Sequence, residues 1–388
     1  MSVILGSTSL LSSGRLKGRR VGIVSNPASV DENLTHVVTA LLAAPGVTVG
    51  AIFGPQHGFR SDVQDNMIET PHTSDSARRV PVFSLYSETR EPTAEMLKHI
   101  DVLVIDLQDI GARIYTYIYT MANCLRACAR HGIDIIVCDR PNPIAGLDVE
   151  GPMLLAGYES FVGQFPMPMR HGMTIGELAR FFNEHFAINA PLEVIEMAGW
   201  SRSMYGDATG HPFVMPSPNI PTLDSAIVYP GTVLLEGTMA SEGRGTTRPF
   251  ELVGAPWVEA EQFAAAMNAR MLPGVHFRAA VFEPTFQKHA KTTCGGCQIH
   301  VLDRAAFKPV LTGVALIDEI RAASPADFAW RRPPYEYEHD KEPIDILAGS
   351  PALRTAIDAG VRAEELARTW AVESRPFEKL RGQFLIYS

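Results

Sequence analysis

The sequence predicts an α/β protein: a Rossmann-like, doubly wound parallel sheet over residues 1–190, then a smaller α+β domain over 191–388, with a cleft between them. Three observations carry that expectation. Short, near-continuous apolar runs at 101–106 and 133–138 are what strands buried on both faces require. Segments with helical periodicity separate such runs, and strand–helix alternation is the pattern of a parallel sheet covered by helices. The chain has 388 residues, too many for one comfortable hydrophobic core, so two domains are expected.

Taken in order, residues 20–25 read as the first strand and 34–44 as a helix. Residues 47–53 and 81–85 are the next strands, followed by a helix at 93–99. The runs 101–106 and 133–138 flank a helix over 117–131. Thr174, with Glu177 three residues on, has the form of a capping box that opens a helix running to Asn183. Beyond it come strands at 192–197 and 298–302 and helices at 259–271, 309–320 and 364–374.

Composition narrows the function classes. The chain is 46% hydrophobic and 20% charged, ordinary for a globular protein, and its formal charge of −9 argues against a general nucleic-acid binder. No run approaches the roughly 18 apolar residues of a membrane span. The N-terminus lacks a basic, apolar leader, so the expected location is cytoplasmic, or periplasmic or secreted if a signal has been removed. Of five cysteines, Cys124, Cys128 and Cys138 read as inert core thiols, while Cys294-Gly-Gly-Cys297 has redox or metal spacing without a second pair. There is no GxGxxG after the first strand, no HExxH and no GxSxG. No cofactor and no metal are expected.

In a doubly wound sheet, ligands bind at the carboxyl ends of the strands. Here those ends carry polar, Gly- and Pro-rich stretches, each open to a functional and a structural reading. In Gly54-Pro55-Gln56-His57-Gly58-Phe59-Arg60, Gln56 orients a hydroxyl or water and His57 transfers a proton, or both brace the turn. Asp106, Gln108, Arg113 and Tyr115 repeat an extended spacing that suits a polyhydroxylated ligand, or Asp106 and Arg113 form a structural ion pair. Arg140, in a loop stiffened by Pro141 and Pro143, suits an anionic group such as a carboxylate, or steadies its turn. In the second domain, Asn219 sits in another proline-braced loop, and residues 236–247 concentrate Glu236, Glu242, Arg244, hydroxyls and three glycines. Glycosidic hydrolysis usually needs two carboxyl groups across the scissile bond. Glu236 and Glu242 are candidates, as are Asp106 and Glu69 from the first domain.

The order of GPQHG, DLQDIGARIYTY, DRPNP, GPML, HGMTIGELA, PSPNIP, EGTMASEGRGTTRPFE and FEPTFQKHA followed by CGGCQIHV resembles one bacterial family. It is the exo-β-N-acetylmuramidases of peptidoglycan breakdown, formerly a domain of unknown function. The likeness runs from about residue 20 to the C-terminus. It implies a Rossmann-like domain, a smaller C-terminal domain and a cleft between them. It also implies removal of N-acetylmuramic acid from the non-reducing end of glycan fragments, without a cofactor. The lactyl carboxylate of that sugar would give Arg140 or Arg244 a partner. On this reading Glu242 or Glu236 supplies one carboxyl, Asp106 or Glu69 the other, and His57 assists. Gln56, Arg60, Gln108, Arg113, Tyr115, Arg140, Asn142, His171, Asn219, Arg244 and Thr246 position the sugar. The expected partners are a small glycan or muropeptide and, as a homodimer, a second copy of the chain. One departure stands out: many members have glutamate where this chain has Gln56. Glutamine neither donates a proton as a general acid nor acts as a carboxylate base. Two outcomes follow: a hydrolase whose carboxylate lies elsewhere, with Glu69 in the unusual stretch 64–69 one choice, or a non-catalytic sugar- or muropeptide-binding protein.

Overall fold

The computed structural model describes residues 2–61, 64, 68–75 and 80–388. Strands β1 (Arg20–Ser25), β2 (Thr48–Gly54), β3 (Thr73–Asp75), β4 (Val80–Ser84), β5 (Val102–Asp106) and β6 (Asp134–Cys138) come first. A two-stranded ribbon follows, β7 (Glu150–Met153) with β8 (Pro168–Arg170), and then β9 (Leu192–Ile195). The main sheet runs β3-β4-β2-β1-β5-β6-β9, parallel throughout except at the edge strand β3. Counted along the chain, its six parallel strands lie in the order 3-2-1-4-5-6, that of the Rossmann fold.

The side-chain alternation of the strands explains the layers. Val21, Ile23, Val102, Val104 and Ile136 pack with Leu10 of α1 (Gly6–Ser13) and Val37, Val38 and Leu41 of α2 (Val37–Ala43). Their neighbours Val24, Leu103, Ile105, Ile135 and Val137 point to the other face. There they meet α3 (Ala94–Leu97), α4 (Tyr117–His131) and α5 (Ile175–His185). Both faces are therefore covered, which is why these strands read as continuous apolar runs. The capping box of α5 is formed as the sequence predicts, Thr174 and Glu177 each bonding the other's backbone N–H.

The expected boundary at 190/191 assigns the strand near 192 to the second domain. The structure instead pairs β9 with β6, Ile135 opposite Leu192 and Cys138 opposite Ile195. An edge strand has one neighbour and only half-buried side chains, so its pattern looks mixed although it completes the parallel sheet.

The rest of the chain forms α6 (Leu223–Thr232), β10 (Leu252–Ala255), α7 (Ala260–Ala269), β11 (Val275–Phe282), β12 (Cys294–Val301) and α8 (Pro309–Ala323). Four short helices close it: α9 (Pro343–Ala348), α10 (Ala352–Asp358), α11 (Ala363–Glu373) and α12 (Arg375–Arg381). The antiparallel sheet β10-β12-β11 is backed by α7 and α8, and its apolar core is continuous with that beneath α4 and α5. The chain end returns to the first sheet, where the Tyr387 hydroxyl donates to Asp139 Oδ2 at 2.7 Å. Cys294 and Cys297 lie three apart on β12 and so face opposite ways. Burial pushes the Cys294 thiol up to about 11 and that of Cys297 higher still. All five cysteines are free. Among the described residues no helix is long and apolar enough to cross a membrane.

Helices α6 and α8 meet at Gly231 and Gly313, where an added Cβ would press into the Pro309 carbonyl and the Gly231 carbonyl respectively. Backbone cannot yield as a flexible side chain does. Gly313→Ala is therefore expected to lower stability by about 1–3 kcal/mol, measured by urea denaturation; an unchanged midpoint would refute this close crossing.

Candidate active site

In this strand order a ligand crevice is expected between the diverging ends of β1 and β5. Asn26, just after β1, bridges that gap. Its side chain donates to Gln108 O at 3.1 Å and accepts from Gln108 N at 3.3 Å. The carboxyl edge of the sheet is thereby split into two hollows. One, of about 500 Å³, is lined by Ala28, Val30, Gln108, Arg140 and His211 among others. Its arginine is already neutralised: Arg140 Nε and Nη2 grip Asp106 Oδ1 and Oδ2 at 2.6 and 3.0 Å. The other, of about 470 Å³, lies where the sheet edge meets the second unit and gathers Gln56, His57, Tyr115, Glu236, Arg244 and Glu336.

The first unit supplies an uncharged wall to this second cavity. Gln56 follows β2 and is 6% exposed. Its Oε1 accepts from Thr116 Oγ1 at 2.7 Å and its Nε2 donates to the Tyr86 hydroxyl at 3.3 Å. Tyr117, the first residue of α4, donates its hydroxyl to Pro216 O at 2.9 Å and so holds the proline-braced loop that carries Asn219. Asn219 Nδ2 in turn donates to Gln64 O at 2.8 Å. The rings of Tyr117, Tyr115, Tyr229 and Phe250 pack edge to face in that order, with centroids 4.9, 5.8 and 4.7 Å apart.

The second unit supplies the charge. Arg244 Nη2 donates to Glu236 Oε1 at 2.6 Å, and the Tyr335 hydroxyl donates to Glu236 Oε2 at 2.7 Å. On its other side Arg244 Nε lies 3.5 Å from Glu242 Oε1, while Lys288 Nζ is 2.6 Å from Glu242 Oε2. Burial alone would raise the Glu242 carboxyl, but Lys288 and Arg244 outweigh it and hold the group below its usual range. Glu336 is the opposite case. Only 3% exposed, its carboxyl is pushed up to about 7, first by burial and then by the nearby charge of Glu236. Four non-glycine residues around the cavity have left-handed backbone: His57 (φ 70°), Phe250 (68°), Glu336 (44°) and Tyr337 (69°). Such conformations cost about 1–3 kcal/mol each and cluster where function constrains the chain.

Of the residues singled out from sequence, the cavity brings together Gln56, His57, Tyr115, Asn219, Glu236 and Arg244. Glu242 sits behind Arg244, outside the lining. Asp106 is bound to Arg140, not to Arg113. Arg113 is wholly buried and donates Nη2 to the carbonyls of Leu347 and Ala348 at the end of α9. Gln108 donates to Asp109 O and Pro141 O. Asn142 braces its own loop through Met173 O and the Ile144 N–H. His171, with Nε2 3.6 Å from Asp109 Oδ2, is fully buried away from the cavity. Thr246 closes a turn onto Gly243 O, Arg60 is exposed, and Glu69 lies at the surface 3.2 Å from Arg90. Within the stretch 64–69, positions 65–67 lie outside the described residues. The expected extended spacing fails because the chain leaves the strand at Asp106 and turns at Gly111, whose φ is +81°.

Two family models cover nearly the whole chain: exo-β-N-acetylmuramidase NamZ, N-terminal, over residues 21–224, and its C-terminal counterpart over 227–387. The chain belongs to the exo-β-N-acetylmuramidase family, which consists of glycoside hydrolases. A peptidoglycan β-N-acetylmuramidase NamZ of Bacillus subtilis (strain 168) is 46% identical over 96% of this chain and 88% of its own length. Two crystal structures of DUF1343 family proteins from Bacteroides fragilis NCTC 9343 each cover all of this chain and are themselves 99% covered. One has TM-score 0.89 at 36% identity, the other 0.77 at 28%. One carboxyl of the cavity lining, Glu336, was not singled out from the sequence. The signal was of a kind already used elsewhere: a carboxyl between Tyr335 and Tyr337, just after Pro333-Pro334.

Glu336 also makes stability depend on pH. In the unfolded chain a glutamate releases its proton near 4.3; in the fold this one keeps it to about 7. Its contribution is therefore complete below the unfolded value and is lost as pH rises to about 7. Glu336→Gln removes that loss. The variant is expected to gain about 3 kcal/mol on the wild type between pH 4 and pH 8, read by denaturation at both; a pH-independent difference would contradict the assignment.

Proposed function

We propose that this chain is an exo-acting glycoside hydrolase that removes N-acetylmuramic acid from the non-reducing end of peptidoglycan fragments, in the cavity between its two units. The observation that carries the reading is one pocket lined by two acidic side chains, Glu236 and Glu336, against a wall of amides and aromatic rings. Sugars present apolar ring faces and hydroxyl edges together, and Tyr115, Tyr117, Tyr229 and Phe250 suit the first while Gln56, Ser217 and Asn219 suit the second.

The lactyl carboxylate of muramic acid finds its partner in Arg244. Of the two arginines the sequence offered, Arg244 lines this cavity and Arg140 the other hollow. The Bacillus subtilis relative named as a peptidoglycan β-N-acetylmuramidase supports the same substrate. We place the reaction on soluble fragments and in the cytoplasm, a setting that five free cysteines suit.

The test is incubation with short glycans of defined non-reducing end, followed by mass spectrometry. Free N-acetylmuramic acid should leave one unit at a time from muramic-ended chains, with N-acetylglucosamine-ended chains left intact. Internal fragments, or no free muramic acid at all, would overturn the reading.

A further inference from the structure

Hydrolysis of a sugar acetal needs an acid on the departing oxygen, and the residue at position 56 is an amide that cannot serve. We propose that Glu336 is that acid, presented to the cavity by the strained Tyr335-Glu336-Tyr337 segment opposite Gln56. The proposal rests on the hydrolase reading above.

The neighbouring carboxyls are committed elsewhere. Both oxygens of Glu236 are engaged, by Arg244 and Tyr335. Glu242 is tied to Lys288 and Arg244 behind the cavity wall. Asp106 is bound to Arg140, and Glu69 is at the surface beside Arg90. Glu336, like Glu236, lines the cavity, and nearly all of its surface is buried. The groups that act on it are Glu236, Arg244, Arg331 and Arg90, with the phenols of Tyr86, Tyr229 and Tyr335 around it. Burial and Glu236 prevail over the three arginines, so the carboxyl holds its proton to about 7 and has it to give at neutral pH. Tyr86 connects the two sides of the cavity: its hydroxyl accepts from Gln56 Nε2, and its phenol is pushed up by burial and by Glu336.

In the step itself, the bond from the anomeric carbon to the glycosidic oxygen breaks, and that oxygen takes the Glu336 proton to leave as an alcohol. Water supplies hydroxyl to the anomeric carbon. The remaining proton of the water, delivered directly or through solvent, restores the acid form of Glu336.

An acid of this kind matters in proportion to the basicity of the leaving group. Glu336→Gln should lose about 10²–10⁴-fold in kcat/KM on a muramyl disaccharide. With 4-nitrophenyl N-acetylmuraminide, whose leaving group departs unaided, the loss should stay below about tenfold. In the wild type, the fall in kcat/KM above about pH 7 should appear with the disaccharide and fade with the nitrophenyl substrate. Equal losses on the two substrates, or the same alkaline fall with both, would overturn the proposal while leaving the hydrolase reading standing. A wild type that cleaves neither substrate would overturn both. If Glu336→Gln does not fold, the comparison of the two wild-type pH profiles decides alone. In resting protein labelled with ¹³C at glutamate carboxyls, one resonance should titrate near 7; none doing so would also overturn the assignment.

Discussion

The cavity depends on one guanidinium. Arg244 lies between Glu236 and Glu242, and Lys288 completes a row of alternating charge with almost no access to water. Charges buried this deeply survive only because each answers another, and removing one member of such a pair typically costs about 3–5 kcal/mol. The row dictates local chain geometry. Gly243 and Gly245, on either side of Arg244, have φ of +80° and +81° and lie against the carbonyls of Leu252 and Phe286. No side chain fits there, so the glycines let the arginine reach inward. Glu236 is fixed at both oxygens, and the third carboxyl, Glu336, is pushed up to about 7, first by burial and then by the charge of Glu236.

The sheet contributes position more than chemistry. Its strand order is that of dinucleotide-binding proteins, yet the crevice those proteins use is bridged here by Asn26 and Gln108. What remains is an edge from which the β2 loop presents Gln56 and α4 presents Thr116 and Tyr117. The charged side chains of the cavity, Glu236, Arg244 and Glu336, come from the second unit. The same fold thus serves a different chemistry because its site is assembled on the edge rather than in the strands.

This division explains what could be read from the sequence. The ends of α4 and the capping box of α5 are set by neighbours within a turn, and both were legible. The layers were legible too, since burial on both faces leaves an apolar run. β9 was misassigned because an edge strand has half the signal. At the site, Gln56 and Asn219 stood out in proline-bearing polar loops and Glu236 and Arg244 in a glycine-rich charged stretch, but nothing local shows which of these converge. Glu336 is a hundred positions from Glu236, and no spacing rule joins them. Asp106 and Arg140 drew notice for the same reason as the cavity residues, although their mutual pairing removes both from it.

Position 56 shows how sequence and structure fit together. A glutamate there would face Tyr86 and Thr116 in a buried wall. A carboxyl there would join a cavity that already holds Glu236 and Glu336, and acidic groups this close raise one another's values. The amide avoids that conflict and still satisfies both neighbours, accepting from Thr116 and donating to Tyr86. Gln56 thus keeps the polar contacts of the wall while adding no charge to it.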